Sequence, residues 1–96
     1  MSSGDITRYV VTINLHEASL TELNELNNAF TRANFLLTLT DDEGHIHELG
    51  TLTFGLIGAL SEEEVQALAA SLVESVTDKP ADITVETWES WQKKEQ

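Results

Sequence analysis

The sequence predicts a single α+β domain in which a four-stranded antiparallel sheet carries two helices on one face. Three observations carry that expectation. The elements follow in the order β-α-β-β-α-β, both helices open on a capping-box signature, and an acidic turn closing on Gly44 separates the two central strands. The chain has 96 residues, enough for one domain and one modest core, and too few for a deep enclosed chamber as well.

Residues 1–7 read as a frayed polar N-terminus. From Arg8 to Leu15, Tyr9, Val11, Ile13 and Leu15 fall on one face and Val10, Thr12 and Asn14 on the other, the alternation of a strand. After a short connection, Ser19-Leu20-Thr21-Glu22 is a capping box, and Leu20, Leu23, Leu26 and Phe30 recur at helical steps as far as Ala33. Asn24, Asn27 and Asn28 are weak helix formers, so packing has to hold this helix. Phe35–Thr40 is a second strand, Asp41-Asp42-Glu43-Gly44 is turn chemistry, and His45–Leu49 continue the far side of a hairpin or wide loop. Thr51–Ile57 form a further strand, with Gly50, Gly55 and Gly58 marking a bulge, close packing or a strand end. Ser61-Glu62-Glu63-Glu64 caps the second helix, whose stripe is Val65, Leu68, Ala69, Leu72, Val73 and Val76, and Thr77-Asp78-Lys79-Pro80 ends it. Ile83, Val85 and Thr87 alternate as the last strand, followed by Trp88 and Trp91.

A central hairpin flanked by two crossover helices is the split β-α-β, or ferredoxin-like, plan. Right-handed crossovers place both helices on one sheet face. The opposite face, with Val10, Thr12, Leu36, Thr38 and Thr40, is then uncovered and is expected to meet a second copy or another partner. The folded domain is expected over residues 8–91, with 92–96 a polar tail.

Seventeen acidic side chains against five basic ones give a formal charge of −12, a field that repels nucleic-acid phosphates, those of DNA included, and anionic membranes at long range, and that favours basic partners. A hydrophobic content of 41% is too high for a disordered acidic tail. The absence of cysteine excludes disulfides, thiolate zinc sites and cysteine nucleophiles. No run reaches the roughly 18 apolar residues of a membrane span, and Met1-Ser2-Ser3-Gly4-Asp5 has no secretory pattern, so the cytoplasm is the expected compartment.

Four constellations carry potential chemistry. Asp41, Asp42, Glu43, His45 and His47 hold metal-ligating atoms, but an acidic turn and a His-x-His pair are the more ordinary reading, and no metal or other cofactor is expected. His16 and Asn14 stand at the end of the first strand, and His16 beside Glu17 has the chemistry of a general base, although a plain loop histidine is the commoner case. Arg8 and Arg32, the only arginines, can each fork onto a phosphate; neutralising nearby acids is the usual use of an isolated arginine. Trp88 and Trp91, three apart, share a face on a helical turn and serve either core closure or stacking on bases. No phosphate loop, HExxH, nucleotide fingerprint or Ser-His-Asp order is present.

Tyr9-Val10-Val11-Thr12, Asn34-Phe35, Asp42-Glu43-Gly44, Thr53-Phe54, Leu60-Ser61-Glu62-Glu63 and Thr87-Trp88-Glu89 occur in an order and spacing that resembles the GhoS family over residues 8–91. That resemblance implies a ferredoxin-like antitoxin of a type V toxin–antitoxin pair, similar to the small CRISPR-associated endoribonucleases. It implies a sequence-selective endoribonuclease that cuts the messenger RNA of a small membrane toxin, so that its partner is a transcript. Asn14 stands where the family's first strand ends in aspartate, and Glu25 and Asn27 stand where its first helix is basic. In such an enzyme Arg8 or Arg32 would stabilise phosphate charge, His16 would be the base, and Asn14, in the aspartate's place, can hydrogen-bond but cannot act as a base. The competing expectation is a non-catalytic ferredoxin-like interaction module, acting as a homodimer through its open sheet face.

Overall fold

The computed structural model of the chain describes residues 6–15, 17, 19–41, 43–49, 52–78 and 81–95; expectations that fall on residues 1–5, His16, Ala18, Asp42, Gly50, Thr51, Lys79, Pro80 and Gln96 lie outside the described residues. The elements are β1 (Thr7–Leu15), α1 (Leu20–Arg32), β2 (Thr38–Thr40), β3 (Ile46–Glu48), β4 (Thr53–Gly58), α2 (Glu62–Val76), β5 (Ala81–Thr87) and α3 (Trp88–Glu95).

The alternation along β1 becomes a strand covered on both faces. β1 is the middle of a three-stranded antiparallel sheet of order β4-β1-β5, with Val11 opposite Phe54 on one side and Val85 on the other. Tyr9, Val11 and Ile13 turn towards the helices and join Leu26, Phe30, Val65, Ala69 and Val73 in the main core, so α1 and α2 share one sheet face. Both capping boxes form: Glu22 N donates to Ser19 Oγ at 3.2 Å, and Glu64 N to Ser61 Oγ at 3.2 Å. Each satisfies orphan N–H groups and is worth about 1 kcal/mol. Leu20, expected in the buried stripe, is instead 74% exposed, because it sits at the first position of α1 beyond the reach of the sheet.

α1 stops at Asn34, whose φ of 73° is in the left-handed region that asparagine tolerates. The Phe35 amide donates to the Phe30 carbonyl at 2.9 Å and the Asn34 amide to that of Thr31 at 3.1 Å, which closes the helix end and turns Phe35 inward. Its ring then meets Phe30 edge-on at 4.8 Å, and Phe30 stacks on Phe54 at 4.5 Å.

Among the described residues the strands form a three-stranded sheet and a separate two-stranded ribbon, in place of the single four-stranded sheet expected. The segment after Phe35 touches β4 at one bridge, where Leu36 and Gly55 exchange backbone hydrogen bonds of 2.7 Å, and then leaves the sheet. β2 pairs with β3 instead, as a separate two-stranded ribbon with Leu39 opposite His47. The physical reason lies at Gly55: a Cβ there would stand 2.8 Å from Leu39 Cγ, so the missing side chain is what lets Leu39 descend onto the sheet.

That descent alters the expected open face. Val10, Leu39, Leu49 and Trp88 form a second buried cluster on the side away from α1 and α2. The ribbon and α3 therefore cover the Val10 region of the face expected to be uncovered, while Asn14, Asp82 and Thr84 at the other end remain exposed. Residues 92–95, expected in a polar tail, lie in α3, which is capped by Thr87 Oγ1 accepting from the Ser90 amide at 3.2 Å.

Candidate functional site

The second cluster gathers polar chemistry at its rim. Turn geometry starts it. Gly44 takes φ 88°, and Asp41 Oδ1 accepts from the amides of Glu43 and His45, both at 2.9 Å. This Asx turn fixes the Asp41 carboxylate and leaves Oδ2 directed at β3, where it meets His47 Nε2 at 2.9 Å. His45 Nδ1 lies 3.5 Å from the same oxygen but is largely exposed. The hydrogen bond with His47, then those from the turn amides, hold the Asp41 carboxyl well below its ordinary value of 3.8, at about 2.

His47 in turn packs edge-on against Trp88, ring centroids 5.4 Å apart, and Trp88 stacks with Trp91 at 5.5 Å. Arg8 reaches the same indole from β1, its guanidinium carbon 6.0 Å from the ring centroid, and Nη1 donates to the Thr40 carbonyl at 3.0 Å. A small cleft of about 160 Å³ lies beside it, lined by Ile6, Thr7, Arg8, Trp88 and Glu89. Trp88 is buried, whereas Trp91 is half-buried and the His47 side chain is 38% exposed. A guanidinium, an imidazole backed by a carboxylate, and the half-buried Trp91 indole, supported from beneath by the buried Trp88, are thus linked in one cluster. Those groups bind phosphate, move a proton and stack on a base, respectively.

The residues singled out from sequence are distributed more widely. Arg8 is at this surface. Asn14 is on the same face of β1 but six residues along, about 20 Å away at the rise of a strand, exposed and in register with Asp82. Arg32 ends α1 on the opposite side of the sheet, beside a groove shared with Glu25, Asn28, Ala29, Ser75 and Val76. His16 lies outside the described residues. Among the described residues, no group of three or more His, Asp or Glu side chains is arranged to hold a metal ion. Asp41 and His47 are bound to each other instead, an arrangement the Asp-x-x-Gly-x-x-His spacing of turn and returning strand could have signalled. The position of Trp88 over His47 could not be read, because it depends on α3 folding back across the ribbon.

Comparison with known proteins places the chain in a family. The family model for "Endoribonuclease GhoS" matches residues 1–94. The uncharacterized protein YdiZ of Escherichia coli (strain K12) is 62% identical over 91 residues, which cover 95% of each chain, and YdiZ of Escherichia coli O157:H7 matches to the same extent. The family match takes in every described element but for the last residue of α3, and the chain belongs to the GhoS endoribonuclease family.

Proposed function

We propose that this protein is an antitoxin endoribonuclease that cleaves the messenger RNA of a small membrane toxin in the cytoplasm, on a ferredoxin-like scaffold. Family membership supports the reaction class. The strand order β4-β1-β5, extended past β4 by the Leu36–Gly55 bridge, supports the scaffold, with the β2–β3 ribbon as a departure from it.

The observation that carries the reading is the placement of Arg8. Of the two arginines, it alone lies against a tryptophan that also contacts a histidine. Phosphodiester cleavage needs charge stabilisation on the phosphate and a group to move a proton, and this surface offers both. The half-buried Trp91 adds a surface on which an unpaired base can stack.

The test is incubation of the purified protein with the transcript of a small hydrophobic membrane peptide encoded beside it. Fragments ending at defined positions are the expected result. An intact transcript after prolonged incubation would reject the proposal.

A further inference from the structure

We infer that His47, oriented by Asp41, is the proton-transfer group of this site, and that it acts on the ribose 2′-hydroxyl of single-stranded RNA; the inference rests on the endoribonuclease reading above.

The tautomer follows from the hydrogen bonds. With its carboxyl held at about 2, Asp41 is a carboxylate near neutral pH and can only accept. His47 Nε2, 2.9 Å from Oδ2, therefore carries the hydrogen and donates it. In the neutral ring Nδ1 is then the unprotonated nitrogen, the one able to take a proton. The edge-on contact with Trp88 fixes the ring plane from the other side. His47 contacts Asp41 from the turn and Trp88 from α3; His45 approaches the same Asp41 oxygen and also Glu43, and Arg8 approaches Trp88 from β1.

In the reaction, Nδ1 removes the proton of the 2′-hydroxyl, and the 2′-oxygen attacks the adjacent phosphorus. The O2′–P bond forms as the P–O5′ bond breaks. The imidazolium returns its proton through solvent to the departing 5′-oxygen. The products are a 2′,3′-cyclic phosphate and a 5′-hydroxyl, with no change of oxidation state and no co-reactant. Asp41 is a positioning residue: it does not touch the substrate but selects which ring nitrogen is the base.

The probe is an end-labelled single-stranded RNA of mixed sequence, cut first by the wild-type chain to map a site, then resynthesised with one 2′-deoxynucleotide there. The deoxy strand is expected to resist cleavage at that position, and the all-ribose product to end in a cyclic phosphate. His47→Gln is expected to slow cleavage by about a hundredfold or more while RNA binding is retained. Asp41→Asn keeps an acceptor for the turn amides but presents an N–H₂ to His47, so the ring ¹⁵N shifts should report exchange of the two nitrogens as the rate falls. Cleavage at the deoxy position, or equal rates for wild type and His47→Gln, overturns this inference alone. The deoxy result decides if the variant does not fold. No cleavage by the wild-type chain overturns the endoribonuclease reading and this inference with it.

Discussion

The contacts of Arg8 include its hydrogen bond to the Thr40 carbonyl and its approach to the Trp88 ring. The two contacts ask for different properties of the side chain. A lysine keeps the charge but loses the planar fork and the stacking geometry. Arg8→Lys is therefore expected to retain RNA binding better than Arg8→Ala, yet to cleave slowly. Arg8→Ala should lose about a hundredfold in kcat/KM, the scale of removing one preorganised charge-stabilising donor. Arg32→Ala, on the far side of the sheet, should stay close to wild type. Parallel rate measurements on the three variants check this, and a larger loss for Arg32→Ala would move the site to the α1 groove. The sequence made both arginines equal candidates because it does not show which sheet face a residue's neighbours come from. Alternation placed Arg8 on the Val10 side of β1, but nothing local to Arg8 indicates that Trp88, 80 positions later, lies over it.

Hydrophobic spacing and capping chemistry made the two long helices and β1 legible at the scale of elements, since both signals are written within a few residues. The ribbon was only half legible. Its turn was plain from Asp41 to Gly44, but its departure from the sheet depends on Leu39 fitting over a glycine on another strand. α3 was not legible, because Thr87 fits the alternation of the last strand and the polar residues after Trp91 read as a tail; its cap, Thr87 Oγ1 accepting from the Ser90 amide, is seen only in the fold. The ribbon also carries a pH dependence. The Asp41 carboxyl is lower in the folded chain, about 2, than its ordinary 3.8, so its ionised form is favoured by folding. The stabilisation it gives is fully present above 3.8 and is lost as pH falls from there through about 2. In that window tryptophan fluorescence should change as the Asp41–His47 contact is lost. Asp41→Asn, which has no carboxyl to titrate, should lack this step. An identical fluorescence titration for both proteins would show that the turn is held by other means.

Charge sets the terms on which the whole molecule meets RNA. A net −12 repels a polyanion during approach, whereas the proposed site offers one guanidinium at contact. These two effects respond to salt in opposite directions. Screening shortens the reach of the global repulsion, to about 8 Å at physiological ionic strength, and so speeds association. Counterion release weakens the bound state, but for single strands its slope is only about −0.7 per phosphate contact, so one arginine gives a shallow slope of about −0.7 in log–log terms. The global effect wins on the association rate and the local effect on the dissociation rate. Stopped-flow measurements with a labelled single-stranded RNA should therefore show the association rate constant rising as salt is added from about 0.05 M towards 0.2 M, while equilibrium affinity changes little. An acidic protein that bound through a clustered basic surface would behave otherwise, with a slope several-fold steeper and an association rate that falls with salt. Such a result would relocate RNA binding from the Arg8–Trp88 surface to the remaining basic side chains, since the chain has only five in all.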